Sequence, residues 1–321
     1  MEYALIGDSC YIHKYVTMWE KGVKVVCLRI PLKYPYSFDQ TTKRLRYFSK
    51  SSYLEKDGTF YRAMRLKTRT IVVGISYIPM YSALEIQVDQ PLSSLEELEL
   101  LEIVKRVWST EIDLTPFYNH LEDKVLRPIV LARQGLHLIL DPDIYECFIK
   151  TIIGQQLQTS FAAKLEQRLI ELVGDQIDYH GDTFWVFPTA EQIAKLTYED
   201  LQKLQYSRRK AEYIIDISRL IVNGRLDLNN LWDKSNEEVM ELLLPLRGVG
   251  RWTIECILLF GLGRSDLLPA ADIGLRNAVK MAYGLEKQPT ENDIRKLGAA
   301  WAPYESYVTF YLWDYITQNK K

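Results

Sequence analysis

The sequence has few cysteines, and the four present are widely separated. Cys10, Cys27, Cys147 and Cys256 form no C-x-x-C pair and no cluster with histidines. Structural zinc sites, iron–sulfur clusters and disulfide frameworks are usually marked by grouped cysteines, so this pattern argues against all three. We expect reduced and mostly buried thiols.

Long apolar runs are also absent. No run approaches the roughly 18 residues that a membrane-spanning helix needs. The N-terminal segment MEYALIGDSC lacks the basic-then-apolar order of a signal peptide. We therefore expect a cytoplasmic protein without a signal peptide or a membrane partner.

The sequence has little net charge of either sign. The formal net charge is −2 over 321 residues, so there is no strongly basic composition of the kind that marks many nucleic-acid-binding proteins. Basic residues exceed acidic ones only in the first 95 residues. A few well-placed amides and basic side chains can still bind DNA, so the charge leaves nucleic-acid binding open.

The pattern of apolar residues divides the chain near Pro91. Before it, alternating and β-rich segments predict strands at residues 24–30, 44–48, 60–66, 70–78 and 84–88. After it, Ser93 or Ser94 can cap a first helix, and helical periodicity predicts further helices at residues 143–153, 159–173, 190–195, 198–204, 208–223, 236–244, 252–262, 274–283, 291–297 and 304–316. We expect an α+β protein, with an antiparallel sheet domain at 1–92 and an all-helical domain at 93–321.

One helical turn carries two glycines. Residues 244–253 read LPLRGVGRWT, and Gly248 and Gly250 allow positive φ and a close approach of the backbone to a ligand. The free amides at the start of the next helix favour an anion such as a phosphate. The alternative interpretation is an ordinary turn between two helices. Val249 is expected to insert into the helical core.

Asp272 stands twenty residues after Trp252, just before an apolar-periodic helix. Its commonest role at such a place is to cap the helix. The functional alternative is a carboxylate that stabilises a sugar cation and orients a water molecule.

The order of motifs over about residues 95–321 resembles the helix-hairpin-helix-Gly/Pro-Asp family of base-excision DNA glycosylases. In that family a hairpin of the form L-P-G-[VI]-G is followed, about twenty residues on, by a Pro-bearing loop with an essential Asp. This chain matches the glycine pair and the Asp spacing, with two extra residues after Pro245.

Four further segments, at residues 141–165, 187–189, 208–211 and 301–313, resemble the alkylation-repair branch of that family, the DNA-3-methyladenine glycosylase II type. They match its D-P…G-Q-Q…A-A-x-x-L, F-P-T, R-x-x-A and W-x-P…L-W motifs. Tyr304 and Glu305 replace the usual Trp-Arg pair, so no role of that arginine carries over.

The resemblance implies a fold, with a TATA-binding-protein-like sheet before the helix-hairpin-helix domain and the hairpin at about 240–262. It also implies a monomeric, nucleoid-associated enzyme that binds damaged double-stranded DNA and needs no cofactor. A monovalent cation, Na⁺ or K⁺, would be held in the hairpin by the backbone of Leu244, Leu246 and Val249.

The implied activity is hydrolysis of the N-glycosidic bond of 3-methyladenine or 7-methylguanine flipped out of the duplex. Asp272 would be catalytic. Trp252, Trp313 and Cys256 would form the base pocket, although either Trp could simply be core. The implied DNA contacts are Gly248, Val249, Gly250, Arg251, Thr253, Gln155 and Gln156. Gln156 matches the residue that wedges into the base stack, and its alternative role is a helix-end cap.

The residue at position 252 predicts the type of reaction. In the branch of the family that also cleaves DNA strands, a lysine there attacks the sugar and forms a Schiff base. Here it is Trp252, which predicts hydrolysis by water. Three alternatives stay open: a glycosylase for oxidised or deaminated purines, a non-catalytic DNA-binding module and a helical protein-interaction scaffold.

Overall fold

The computed structural model describes residues 2–3, 13–20, 23–47 and 52–319. Cys10, and residue 48 at the end of one predicted strand, lie outside the described residues. The other three cysteines are buried, as expected. No helix within the described ranges is long and apolar enough to cross a membrane.

The N-terminal part forms one antiparallel sheet. Its strands lie in the order β1-β2-β3-β7-β6-β5-β4. They are β1 Glu2–Tyr3, β2 His13–Glu20, β3 Val23–Pro31, β4 Leu54–Lys56, β5 Thr59–Arg65, β6 Thr70–Ile78 and β7 Ala83–Val88. The strands predicted at 24–30, 60–66, 70–78 and 84–88 are confirmed, and so is the antiparallel arrangement.

The strand predicted at 44–48 is wrong, because residues 44–47 belong to helix α1, Phe38–Tyr47. The Ser37 hydroxyl accepts a hydrogen bond from the Gln40 amide, which favours the start of a helix. The Thr41 hydroxyl then donates to the Gly135 carbonyl, and Leu45 packs on the sheet core. These contacts with distant residues outweigh the alternating pattern.

The first helix after the sheet is α2, Ser94–Val107, capped as predicted by Ser93. The Ser93 hydroxyl and the Glu96 side chain satisfy each other's backbone amides. Leu100, Val104 and Trp108 are fully buried against the sheet. The core of the sheet layer therefore extends beyond residue 92, as far as Trp108.

The rest of the chain is mainly helical and shares one large apolar core. Its helices are α3 Thr115–His120, α4 Leu126–Leu131, α5 Ile144–Gly154, α6 Thr159–Val173, α7 Ala190–Ala194, α8 Tyr198–Lys203, α9 Arg208–Val222, α10 Asn236–Leu243, α11 Arg251–Cys256, α12 Ile273–Ala282, α13 Glu291–Gly298 and α14 Glu305–Asn319. Sequence analysis did not predict α3, α4 or the β-hairpin of β8 Asp175–Tyr179 and β9 Asp182–Val186.

The helix predicted at 252–262 has two parts. α11 is an α-helix, and Ile257–Gly261 continues it as one π-helical segment. Short π-helical segments widen a helix locally and are frequent at functional sites. This one carries Phe260, whose ring lies beside Trp313.

A buried ion pair joins the sheet to the helical layer. Arg62 on β5 donates to both carboxylate oxygens of Glu146 on α5, at 2.6 and 2.8 Å. Their side chains are only 6% and 3% exposed. Lys150 lies 3.4 Å from Glu146 and pairs more closely with Asp141.

We expect Arg62→Met to lower the free energy of unfolding by about 3 kcal/mol, because removing one partner leaves a buried charge poorly compensated. Chemical denaturation measures the loss. Arg295→Met, which breaks the exposed Arg295–Glu291 pair on α13, is the control and should cost less than about 1 kcal/mol. Equal losses in the two variants would contradict this role of the buried pair.

Candidate active site

Asp272 is the N-cap of α12. Its Oδ1 accepts from the Leu275 amide at 2.7 Å, which is the local helix-capping bond. The turn before it is closed by the Asp272 amide donating to the Pro269 carbonyl. This capping bond is only one of the hydrogen bonds that the Asp272 carboxylate accepts.

Both predicted pocket tryptophans donate to Asp272. Trp313 Nε1 lies 2.9 Å from Oδ1, and Trp252 Nε1 lies 3.3 Å from Oδ2. The carboxylate is thus fixed by three N–H donors from α11, α12 and α14. Since indole N–H groups only donate, both rings are oriented by the acid. Both tryptophans are partly exposed, whereas Trp108 and Trp301 are fully buried core residues.

Phe260 extends the aromatic surface beside Asp272. Its ring stacks on Trp313 with centroids 5.9 Å apart and planes 18° apart. The Arg44 guanidinium of α1 lies over the Phe260 ring at 5.8 Å. The sheet layer therefore supports this aromatic group. No motif in the sequence indicated Phe260.

Gly274 allows the close approach of Trp313 to Asp272. A Cβ atom at this position would lie 2.9 Å from Asp272 Oδ1 and 3.3 Å from Trp313 Nε1. A larger residue here would therefore push the indole away from the carboxylate.

Cys256, the third predicted pocket residue, lies one turn after Trp252 and is 7% exposed. Burial raises the pKa of its thiol, and the nearby Asp272 carboxylate raises it further. The sulfur is therefore a neutral, small, apolar group rather than a nucleophile.

The two glycines of the hairpin play different roles. Gly248 has φ +85°, and a Cβ there would lie 2.2 Å from the Tyr213 ring. Gly250 has φ −110°, so the positive φ expected for both glycines holds only for Gly248. A Cβ on Gly250 would have no atom within 4 Å, so its surface is open to a ligand. Val249 is buried in the helical core, as predicted.

Gln155 connects the end of α5 to the hairpin. Its Nε2 donates to the Gly248 carbonyl at 2.8 Å and to Thr253 Oγ1 at 2.9 Å. Thr253 is 2% exposed and its hydroxyl accepts this bond within the protein, so a DNA contact by Thr253 stays a prediction. Gln156 is exposed and has φ +55°, which is uncommon for a residue other than glycine.

Two arginines flank the hairpin. Arg251 is exposed and pairs with Glu255, a buried carboxylate whose pKa is raised by burial. Arg247 pairs with Glu212 at 2.6 Å and lies over the Tyr213 ring. Both guanidinium groups therefore reach the surface beside Gly250 with carboxylate partners already in place.

The carbonyls of Leu244, Leu246 and Val249 are all in the hairpin. Leu246 accepts from the Val249 amide, while no described residue donates to the carbonyls of Leu244 or Val249. A set of backbone oxygens suits a hard cation. Elsewhere in the described chain, no group of three or more His, Cys, Asp or Glu could hold a metal ion.

Two other features lie apart from this site. Glu305 starts α14, where burial raises its pKa, and no hydrogen bond between described residues joins it to Asp272. A cavity of about 450 Å³ between β5, α5, α6 and β9 contains none of the predicted site residues.

Comparison with known proteins matches the part of the chain that contains the hairpin and Asp272 to a known family. Residues 149–303 match the family described as HhH-GPD superfamily base excision DNA repair protein. A putative DNA-3-methyladenine glycosylase of Bacillus subtilis is 41% identical over 68% of this chain and 75% of its own length.

Two solved structures are also similar. The 3-methyladenine DNA-glycosylase from Archaeoglobus fulgidus superposes with a TM-score of 0.80 at 25% identity, over 91% of this chain and 99% of that one. The 3-methyladenine DNA glycosylase of Schizosaccharomyces pombe, solved with abasic DNA, gives a TM-score of 0.54 at 29% identity, over 62% and 96%.

The family match contains the hairpin, Asp272 and the end of α5. The predicted family and the predicted order of a sheet followed by a helical domain are both confirmed. The chain belongs to the helix-hairpin-helix (HhH-GPD) superfamily of base-excision DNA repair proteins.

Proposed function

We propose that this protein is a monofunctional DNA glycosylase of the 3-methyladenine II type, which hydrolyses the N-glycosidic bond of alkylated purines in double-stranded DNA. The observation that carries the proposal is the Asp272 carboxylate, which accepts from both Trp252 and Trp313. The similarity to glycosylases named for 3-methyladenine supports the substrate class.

Asp272 supplies the negative charge that the reaction needs. As the base leaves, the sugar ring gains positive charge, which a fixed carboxylate stabilises without reorganisation. Oδ2 has the weaker partner, the Trp252 indole at 3.3 Å, so this oxygen is the better placed of the two to face the sugar or to orient a water molecule.

The aromatic side chains supply the base pocket. An N3- or N7-alkylated purine is cationic, and stacking on an indole face stabilises a cation by about 0.5–2 kcal/mol. Trp252, Trp313 and Phe260 present such faces next to Asp272. The neutral, buried Cys256 adds no competing charge.

DNA is held by the hairpin and by the end of α5. The open surface at Gly250 and the first amides of α11 suit a phosphate, and the exposed Gln156 is placed to fill the gap left by the flipped nucleotide. A monovalent cation on the carbonyls of Leu244, Leu246 and Val249 would strengthen phosphate binding. The enzyme would act as a monomer.

Hydrolysis rather than strand cleavage follows from the donors around Asp272. None of the three is a lysine amine, and the position used by lyase relatives holds Trp252. No Schiff base is therefore expected at this site.

We expect Asp272→Asn to slow release of 3-methyladenine and 7-methylguanine roughly 100-fold or more, because the sugar cation loses its counter-charge. DNA methylated by dimethyl sulfate is incubated with enzyme, and free bases are measured by chromatography. Abasic sites should become strand breaks only after alkali, and borohydride should trap no covalent complex.

Asp143→Asn is the matched control, because Asp143 caps α5 just as Asp272 caps α12. Asn caps a helix about as well as Asp, so both variants should fold. Base release by Asp272→Asn at the wild-type rate would show that another acid is catalytic, and no release by the wild-type protein would leave only a binding module.

Substitutions at the two glycines should separate folding from DNA binding. Gly248→Ala should lower stability by about 1–3 kcal/mol, because the residue has positive φ and meets Tyr213. Gly250→Ala should melt like the wild type and yet bind DNA several-fold more weakly, since its methyl group occupies the phosphate surface. Wild-type DNA affinity for Gly250→Ala, measured by fluorescence polarisation, would contradict this use of the hairpin.

A further inference from the structure

Lys210 caps the end of α5 from another helix. It lies in the first turn of α9, and its Nζ donates to the carbonyls of Ile153 at 2.5 Å and Gln155 at 2.8 Å. Ile153 is in the last turn of α5, where carbonyls have no partner within the helix, and Gln155 is the residue that follows the helix. The ammonium thus fixes the backbone that leads into the exposed Gln156.

The same ammonium is connected to the hairpin. Gln155, whose carbonyl accepts from Lys210, donates through its side chain to the Gly248 carbonyl. Lys210 is therefore hydrogen-bonded, directly or through Gln155, to both segments to which DNA binding is assigned. Any displacement of its side chain would be transmitted to both.

Lys210 has no carboxylate partner among the described residues. Charged groups on the surrounding elements are engaged with one another or with carbonyls: Glu212 with Arg208 and Arg247, Glu255 with Arg251, and Arg168 with the Leu204 carbonyl. Burial alone lowers the pKa of Lys210 to about 8. An ammonium has three N–H donors, and only two find acceptors in the described part of the chain.

We propose that Lys210 binds a DNA phosphate with its third N–H donor while its other two hold the end of α5. This inference rests on the proposed function and adds to it a contact between the DNA backbone and the loop carrying Gln156. The half-buried Lys210 ammonium has no carboxylate partner among the described residues and lies next to two segments assigned to DNA binding. An anion bound there would neutralise its charge. The partner is thus a phosphate of the duplex.

The salt dependence of DNA binding tests the proposal. Fluorescence polarisation measures Kd for a duplex with a tetrahydrofuran abasic analogue between about 50 and 200 mM salt. Lys210→Met should weaken binding about tenfold and reduce the slope of log Kd against log salt by about 1, whereas Lys210→Arg should keep the slope. Lys67→Met, at an exposed turn of the sheet, is the control and should keep it too.

The pH dependence is a second readout that a purely structural cap would not produce. A phosphate favours the protonated amine, so wild-type affinity should fall as the pH rises above about 8. Lys210→Arg stays charged, so its affinity should change less over the same interval.

An unchanged salt slope in Lys210→Met, even with weaker binding or a lower melting temperature, would overturn the proposal and leave Lys210 as a helix cap. That result differs from a failure of the proposed function. In the latter case the wild-type protein itself would release no alkylated base.

Discussion

The hydrogen bonds to the Asp272 carboxylate are the interaction on which the arrangement of the site depends. One carboxylate caps α12, orients the Trp313 indole of α14 and orients the Trp252 indole of α11. The amino end of α12 and three N–H donors all face this one carboxylate. The same contacts that hold the helices together also keep a negative charge beside three aromatic rings.

The rest of the fold keeps this group in place. Gln155 connects the end of α5 to the hairpin, so these two segments and the start of α11, which carries Trp252, form one unit. The sheet layer is joined to α5 by the Arg62–Glu146 pair and contacts Phe260 through Arg44. Interactions far from Asp272 therefore decide the position of the aromatic rings around it.

Sequence reasoning succeeded where the signal is local. The caps at Ser93 and Asp272 are short-range patterns, and both start helices in the structure. It failed where distant contacts decide, as in α1, which is fixed by Gly135 and the sheet core, and in β8 and β9, which pack on strands β5 and β6 of the sheet. Trp252 and Trp313, which both donate to Asp272, are also far apart in the chain. The sequence spacing of Trp252 and Asp272 could therefore suggest the site but could not predict its hydrogen bonds.

The most direct test of this account is a crystal structure with a duplex in which a cationic pyrrolidine replaces one deoxyribose. The account predicts that an Asp272 oxygen lies within hydrogen-bond distance of the pyrrolidine nitrogen, while amides at Gly250 and the start of α11 contact a phosphate. Binding of the duplex with the pyrrolidine far from Asp272, or with the hairpin facing solvent, would contradict it.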